Sequence, residues 1–210
     1  MLVSNAVQSS TKRVRRTPEN ARAEILVAAE AALRDFGFHA LTVEHLMERT
    51  GMTRSLFYHY FKSLDEIVIA LFQSVEAEIQ GAVDAWLEGE HTADPRANTV
   101  EHLTRMYEVW REHANLMRAM EQAAGRSKEA YARWQQQVVE SYIDKTETFI
   151  RRQITLGRSR VPDPRGVAHV LILMNLAVAT DQTNRPEPET PARLGAMVGH
   201  VWNAAVYQDV

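Results

Sequence analysis

Residues 41–67 read LTVEHLMERTGMTRSLFYHYFKSLDEI, and the starts and stops packed into this stretch leave few folds open. An apolar pattern ends at Gly51, restarts after Thr53, stops near Phe61 and restarts after Ser63. Thr42 can cap a first helix, with Glu44 in its first turn, where a negative charge suits the helix dipole. Val43, Leu46 and Met47 recur at helical spacing and are expected to face inward. Gly51 can take the left-handed conformation that ends many helices. Thr53 is a natural cap for the next helix, and Ser63 with Glu66 forms a capping box ahead of Ile67, Val68 and Leu71. Upstream, Ile25, Ala28, Ala29, Leu33 and Phe36 fall on one face of a helix expected to start near Pro18 and end at Gly37.

The short middle helix, residues 54–59, is too polar on its outside to be all core. Thr53, Arg54, Ser55, Tyr58 and His59 are side chains able to touch phosphates and base edges, the way a helix-turn-helix presents its second helix to the major groove. Phe57 and Phe61 suit the core. Arg54 can read guanine through two hydrogen bonds, and Lys62 can meet a phosphate as a point charge. Thr53 is expected both to cap and to touch phosphate, and Tyr58 to pack its ring while its hydroxyl reaches the DNA backbone. The charge distribution agrees. Residues 1–62 hold nine Lys/Arg against six Asp/Glu, whereas the remainder holds 15 against 21, so only the first part suits a phosphate surface.

The stretch MTRSLFYHYFKSLDEI resembles the helix-turn-helix of the TetR family of transcriptional repressors. The aromatic run from Phe57 to Phe61 followed by Lys62-Ser63, and Phe36-Gly37 and Leu41-Thr42-Val43 upstream, carry the resemblance over roughly residues 20–70. It departs at Leu64, where the family usually has a phosphate-contacting lysine, and at Leu56, where a small or hydroxyl residue is common. The resemblance implies DNA contacts from Thr42, Thr53, Arg54, Ser55, Tyr58, His59 and Lys62, and a homodimer on a palindromic operator.

No segment alternates as a strand, so the fold class is all-α, with about nine helices. Residues 1–17 read as a disordered basic arm with Lys12, Arg13, Arg15 and Arg16: either a solvated tail or an arm adding phosphate or minor-groove contacts. Residues 18–65 form the DNA-binding head and 66–210 a ligand-binding and dimerisation body. In the body, helices are expected over 64–87, from Pro95, over 115–122, 128–156, 167–180 and 192–207, with a polar loop at 181–191. The 167–180 helix is apolar on nearly all sides and the last helix carries Gly195, Ala196 and Gly199. Together they suggest a two-fold four-helix interface. No stretch approaches ~18 uninterrupted apolar residues and the N-terminus has no apolar signal region, so a cytoplasmic protein without a membrane span is expected.

The body also resembles the TetR-like subgroup that includes the ethionamide-activation regulator, through EHANLMRAMEQAAGRS, Trp134, LMN at 173–175 and HVW at 200–202. That resemblance implies a lipophilic tunnel lined by Met106, Tyr107, Trp110, Trp134, Val138 and Ser141, with Asn175 offering an amide and Trp202 closing one end. Ser141 stands where an aromatic would be expected. Read by themselves, the tryptophans and methionines suit either ordinary core or an adaptable apolar pocket. There is no glycine-rich phosphate loop, GxSxG elbow or HExxH, no cysteine, and the histidines are scattered. No enzyme activity, cofactor or metal site is therefore expected. The leading reading is a dimeric repressor released from DNA by a small lipophilic effector. The alternatives are a dimeric DNA-binding protein with no small-molecule ligand, and a helical enzyme retaining a helix-turn-helix.

Removing residues 1–16 is expected to weaken specific and non-specific DNA binding by a similar factor and to flatten the salt dependence. A titration in rising salt measures this; lost sequence preference with an unchanged slope would contradict an arm on phosphate.

Overall fold

The computed structural model describes residues 18–88 and 94–207. The basic arm and most of the GEHTADP loop lie outside them. Among the described residues there is no strand. Helix α1 spans Pro18–Phe36, a 3-10 turn Phe38–Ala40, α2 Val43–Thr50, α3 Arg54–Tyr60 and α4 Leu64–Glu88. The rest follows as α5 Pro95–Glu112, α6 Ala114–Ala124, α7 Lys128–Trp134, α8 Ser141–Thr155, α9 Pro164–Asn184 and α10 Pro191–Val206. The single long helix expected over 128–156 is α7 and α8, joined by a π-helical stretch, Gln135–Glu140. That division makes ten α-helices among the described residues, against the nine or so expected. The widened turn still directs Val138 and Val139 into the core.

The local chemistry explains most boundaries. Asp94, Ser127, Asp163 and Thr190 each accept a backbone N–H at the start of α5, α7, α9 and α10. Proline opens α5, α9 and α10, where its missing N–H leaves no bond unmade. Gly37, at φ 73°, turns the chain sharply after α1. Phe36 consequently points to solvent, 57% exposed, and Phe38 takes the inward place expected of Phe36. The polar loop expected at 181–191 begins later, because α9 continues to Asn184. There the Thr183 hydroxyl donates to the Ala179 carbonyl and the Asn184 amide to that of Thr180.

Around α2 and α3, Ile25, Leu33, Phe38, Leu46, Phe57, Phe61 and Ile67 form one buried group. In the body, Leu103, Met117, Met120, Ile143, Ile150, Leu171 and Trp202 are buried. Each such side chain contributes about 1.5–3 kcal/mol relative to exposure. Helix α9 is pinned to α8 by Arg165, whose guanidinium meets Asp144 at 2.7 Å and Glu147 and Glu140 at 3.0 Å. Hydrogen bonds from Arg151 and Arg165 hold the Glu147 carboxyl below the usual range.

The small residues of α10 serve a contact within the chain. A Cβ added to Gly195 would lie 2.0 Å from the Thr104 hydroxyl and 2.8 Å from its backbone nitrogen, and one at Gly199 would lie 2.7 Å from Val100. These glycines let α10 and α5 approach closely, while Ala196 stays exposed. On α9 and α10 the exposed large apolar side chains are Val170 and Leu173, and Met197 and Val201.

Gly195→Ala should cost about 1–3 kcal/mol by overpacking, lowering Tm by roughly 3–10 °C. Gly81 in α4 has nothing within 4 Å of its notional Cβ, so Gly81→Ala should raise stability by about 1 kcal/mol. Thermal melts of the two variants test the close contact against ordinary helix propensity.

Candidate functional site

The turn between α2 and α3 is built by capping. Thr42 Oγ1 accepts the His45 N–H at 3.2 Å, and Thr53 Oγ1 accepts that of Leu56 at 3.3 Å. Gly51, at φ 63°, closes α2 through its N–H to the Met47 carbonyl. At the exit of α3, Ser63 Oγ accepts the Glu66 N–H, and the Glu66 carboxylate accepts the backbone N–H of Lys62. Phe57, fully buried, anchors α3, and Leu56 packs half-buried against the same core. Leu64, where the family pattern has a lysine, likewise packs on the core.

This leaves Thr53, Arg54, Ser55, Tyr58, His59 and Lys62 exposed on one outer surface, with Thr42 partly exposed beside them. Each capping threonine uses its oxygen as acceptor, and its O–H proton stays free to donate to a phosphate. The Tyr58 ring stands edge-on to Phe57, and His59 edge-on to Tyr60. Arg54 meets Glu44 of α2 at 2.6 Å. Sequence spacing showed Glu44 only as a first-turn residue. Five guanidinium N–H groups leave Arg54 donors for a base edge while this pair holds. Arg22 of α1 lies over the Phe61 ring at 5.2 Å, an exposed cation that no motif singled out.

In the body, an apolar cavity lies between α4, α5, α8 and α9, with about 530 Å³ of unfilled space counted to its mouth. Its inner bore is narrow, admitting little more than water as it stands. Met106, Trp110 and Asn175 line it, together with Val83, His102, Val109, Tyr142, Ile172, Leu176 and Ala179. The other sequence-nominated residues sit behind or beside this wall. Tyr107 lines a second hollow beneath the α9–α10 connection, with about 500 Å³ of unfilled space open to solvent, and Trp110 lines both. Trp134 packs between Phe72 and Trp110, Val138 is buried in the π-helical stretch, and Ser141 accepts a hydrogen bond from Gln80. Trp202 does not cap the cavity. Its indole N–H donates to Asn175 Oδ1 at 2.9 Å, which orients the amide. An indole N–H only donates, so the amide nitrogen must face the other way, and it is buried with no partner.

The remaining polar groups of the cavity carry no charge. His102 stacks on Trp86 at 4.3 Å, and burial pushes its pKa down to about 3. Burial, then the nearby Glu76 carboxylate, pushes the Tyr142 hydroxyl up. Sequence reasoning missed both: a lone histidine and a lone tyrosine carry no spacing signal. Among the described residues no cluster of His, Asp or Glu is arranged to hold a metal ion.

Residues 25–71 match the family model described as bacterial regulatory proteins, tetR family. Residues 99–208 match that of the transcriptional regulator EthR, C-terminal domain. The HTH-type transcriptional regulator EthR of Mycobacterium tuberculosis is 25% identical over 219 residues, covering 100% of this chain and 99% of its own. The EthR of Mycolicibacterium smegmatis is 24% identical, covering 98% and 96%. Among solved structures, SmeT, the repressor of the Stenotrophomonas maltophilia multidrug efflux pump SmeDEF, has a TM-score of 0.67 in complex with triclosan. It is 25% identical, over 90% of this chain and 92% of that one. NalD, the secondary repressor of MexAB-OprM in Pseudomonas aeruginosa, shares the fold at a TM-score of 0.68 and 18% identity, over 91% and 98%.

Arg54→Ala is expected to cost roughly 1–3 kcal/mol on the cognate site and to relax preference at one base pair per half-site. Lys62→Ala should weaken all sequences alike. A base-substitution scan with both variants checks the assignment, and the reverse pattern would exchange the two roles.

Proposed function

The chain belongs to the tetR family of bacterial regulatory proteins, in the group sharing the EthR C-terminal domain, and from that premise we propose a dimeric repressor released from its operator by a small lipophilic effector. As a transcriptional regulator it is not an enzyme. The observation that carries the proposal is the placement of α4. It starts directly after the exposed recognition surface on α3, and its Val83 lines the body cavity. At about 1.5 Å per residue, roughly 28 Å of one helix separates those two ends. A molecule that parts the cavity walls therefore displaces a rod whose other end carries the DNA-reading unit.

One recognition helix reads only a few base pairs, so useful affinity requires two. Val170 and Leu173 on α9, with Met197 and Val201 on α10, supply an exposed apolar face for a two-fold partner. An effector that binds the wrongly spaced dimer more tightly than the DNA-bearing one releases DNA by that difference in affinity. The cavity suits a neutral, largely apolar molecule. It presents no ionised group, and the spare amide N–H of Asn175 offers one hydrogen bond to an acceptor. SmeT, solved with triclosan, is a relative that binds a small molecule. No described helix is long and apolar enough to cross a membrane, and we place the protein with its operator in the cytoplasm. The narrow bore favours one second reading, a dimeric DNA-binding protein whose body takes no ligand.

A hydrophobic ligand in the cavity is expected to quench tryptophan fluorescence, because Trp110 lines it and Trp134, Trp86 and Trp202 lie within two ring contacts of its wall. It should raise stability by mass action, about 2.7 kcal/mol at a hundredfold excess over Kd, and lower operator affinity. Trp110→Ala should blunt the response while leaving ligand-free DNA binding intact. Asn175→Ala should weaken ligands bearing an acceptor more than pure hydrocarbons. A panel of apolar compounds that shifts neither melting nor fluorescence would leave the ligand-free reading standing.

A further inference from the structure

Arg126 lies in the turn between α6 and α7, remote in sequence from the helix-turn-helix, yet it touches that unit from both sides. Its guanidinium donates to the Asp65 carboxylate at 3.0 Å, in the first turn of α4 and just past the recognition helix. Its central carbon also sits 4.6 Å above the ring of Phe38, in the 3-10 turn just before α2. Phe38 is buried in the core beneath α2 and α3. The two anchors therefore bracket residues 43–60, the whole two-helix reading unit. A planar guanidinium can lay its face on a ring while donating along its edge, and an ammonium cannot present both surfaces.

Behind Arg126, α6 is tied to α9. The Thr180 hydroxyl donates to the Glu121 carboxylate, and the Arg118 guanidinium donates to the Thr183 carbonyl. Helix α9 in turn supplies Ile172, Asn175, Leu176 and Ala179 to the cavity wall. The grip on the DNA-reading unit is thus held from the element that borders the cavity, by a path that meets α4 only at its first turn.

We propose that Arg126 is a positioning residue for operator reading. It sets the angle at which the body presents the helix-turn-helix, and so the distance between the two recognition helices of a dimer. This rests on the dimeric reading above and needs no effector. Arg126 itself is 60% exposed, so each contact is modest in strength and its leverage is geometric.

The test uses the full-length protein and a palindrome selected from random DNA by the native chain. That palindrome is then remade with its half-sites one base pair closer and one farther apart. Arg126→Ala should lower the melting temperature by no more than about 2–5 °C and keep base preference within each half-site. It should flatten the discrimination between spacings by about five- to tenfold, the change that two exposed contacts of this kind can supply. Arg126→Lys should restore part of the discrimination. Asp65→Asn should flatten it partly alone and add nothing to Arg126→Ala. Equal weakening on all spacings, or spacing discrimination unchanged in Arg126→Ala, would overturn the assignment while leaving the dimer intact. A native protein indifferent to spacing, or binding single half-sites as tightly as palindromes, would overturn the dimeric reading and the role of Arg126 with it.

Discussion

Helix α4 buries Ile67 and Val68 near its start, and Phe72, Val83 and Trp86 farther along, where Phe72 already meets Trp134 of the body. The first pair closes the core beneath the recognition helix, and the others pack in the body, where Trp86 meets His102, Phe149 and Trp202. One rigid rod must satisfy both at once. Its orientation is therefore a compromise between two packings, and a change in either alters the balance. Close-packed interiors transmit displacement because they have few voids to absorb it. Lys145 of α8 braces the rod from the side, donating to Gln80 at 2.6 Å and pairing with Asp84.

The body around that rod is polar in few places, and those places are specific. Asn175 is buried at the midpoint of an apolar helix, a costly position unless its amide is used. Trp202 uses half of it. The other half is the kind of unmet donor that a ligand acceptor or a water satisfies. His102 is kept neutral by burial and stacked on an indole, which makes it an aromatic wall at physiological pH. An uncharged cavity selects against ions before it selects among neutral molecules, because stripping a charge of its water is not repaid there.

Much of the head was legible because its signals are local. A cap, a left-handed glycine and a capping box each act within four residues, and Thr42, Gly51, Thr53 and Ser63 all fold as their spacing indicates. Phe36 was misread because helical periodicity cannot tell where a helix stops. Once Gly37 turns the chain, Phe38 and not Phe36 faces the core. The glycines of α10 were misread for a similar reason. Periodicity shows that small residues share a face, but not which helix approaches that face, and α5 lies ninety residues upstream of it in the chain.

From the residues alone came the helical class, the three-helix head with its exposed polar surface, and the presence of an aromatic, methionine-rich body. These follow from propensity, capping and periodicity, which are properties of short windows. The tertiary structure decided which of the nominated body residues border open space. Met106, Trp110 and Asn175 do; Trp134, Val138, Ser141 and Trp202 support the wall or the core. It also brought His102 and Tyr142 into that wall, paired Arg54 with Glu44, and carried Arg126 onto Phe38 and Asp65. Such contacts join segments from ten to nearly ninety residues apart. They depend on crossing angles and on which helix packs where, and those are set by the whole core.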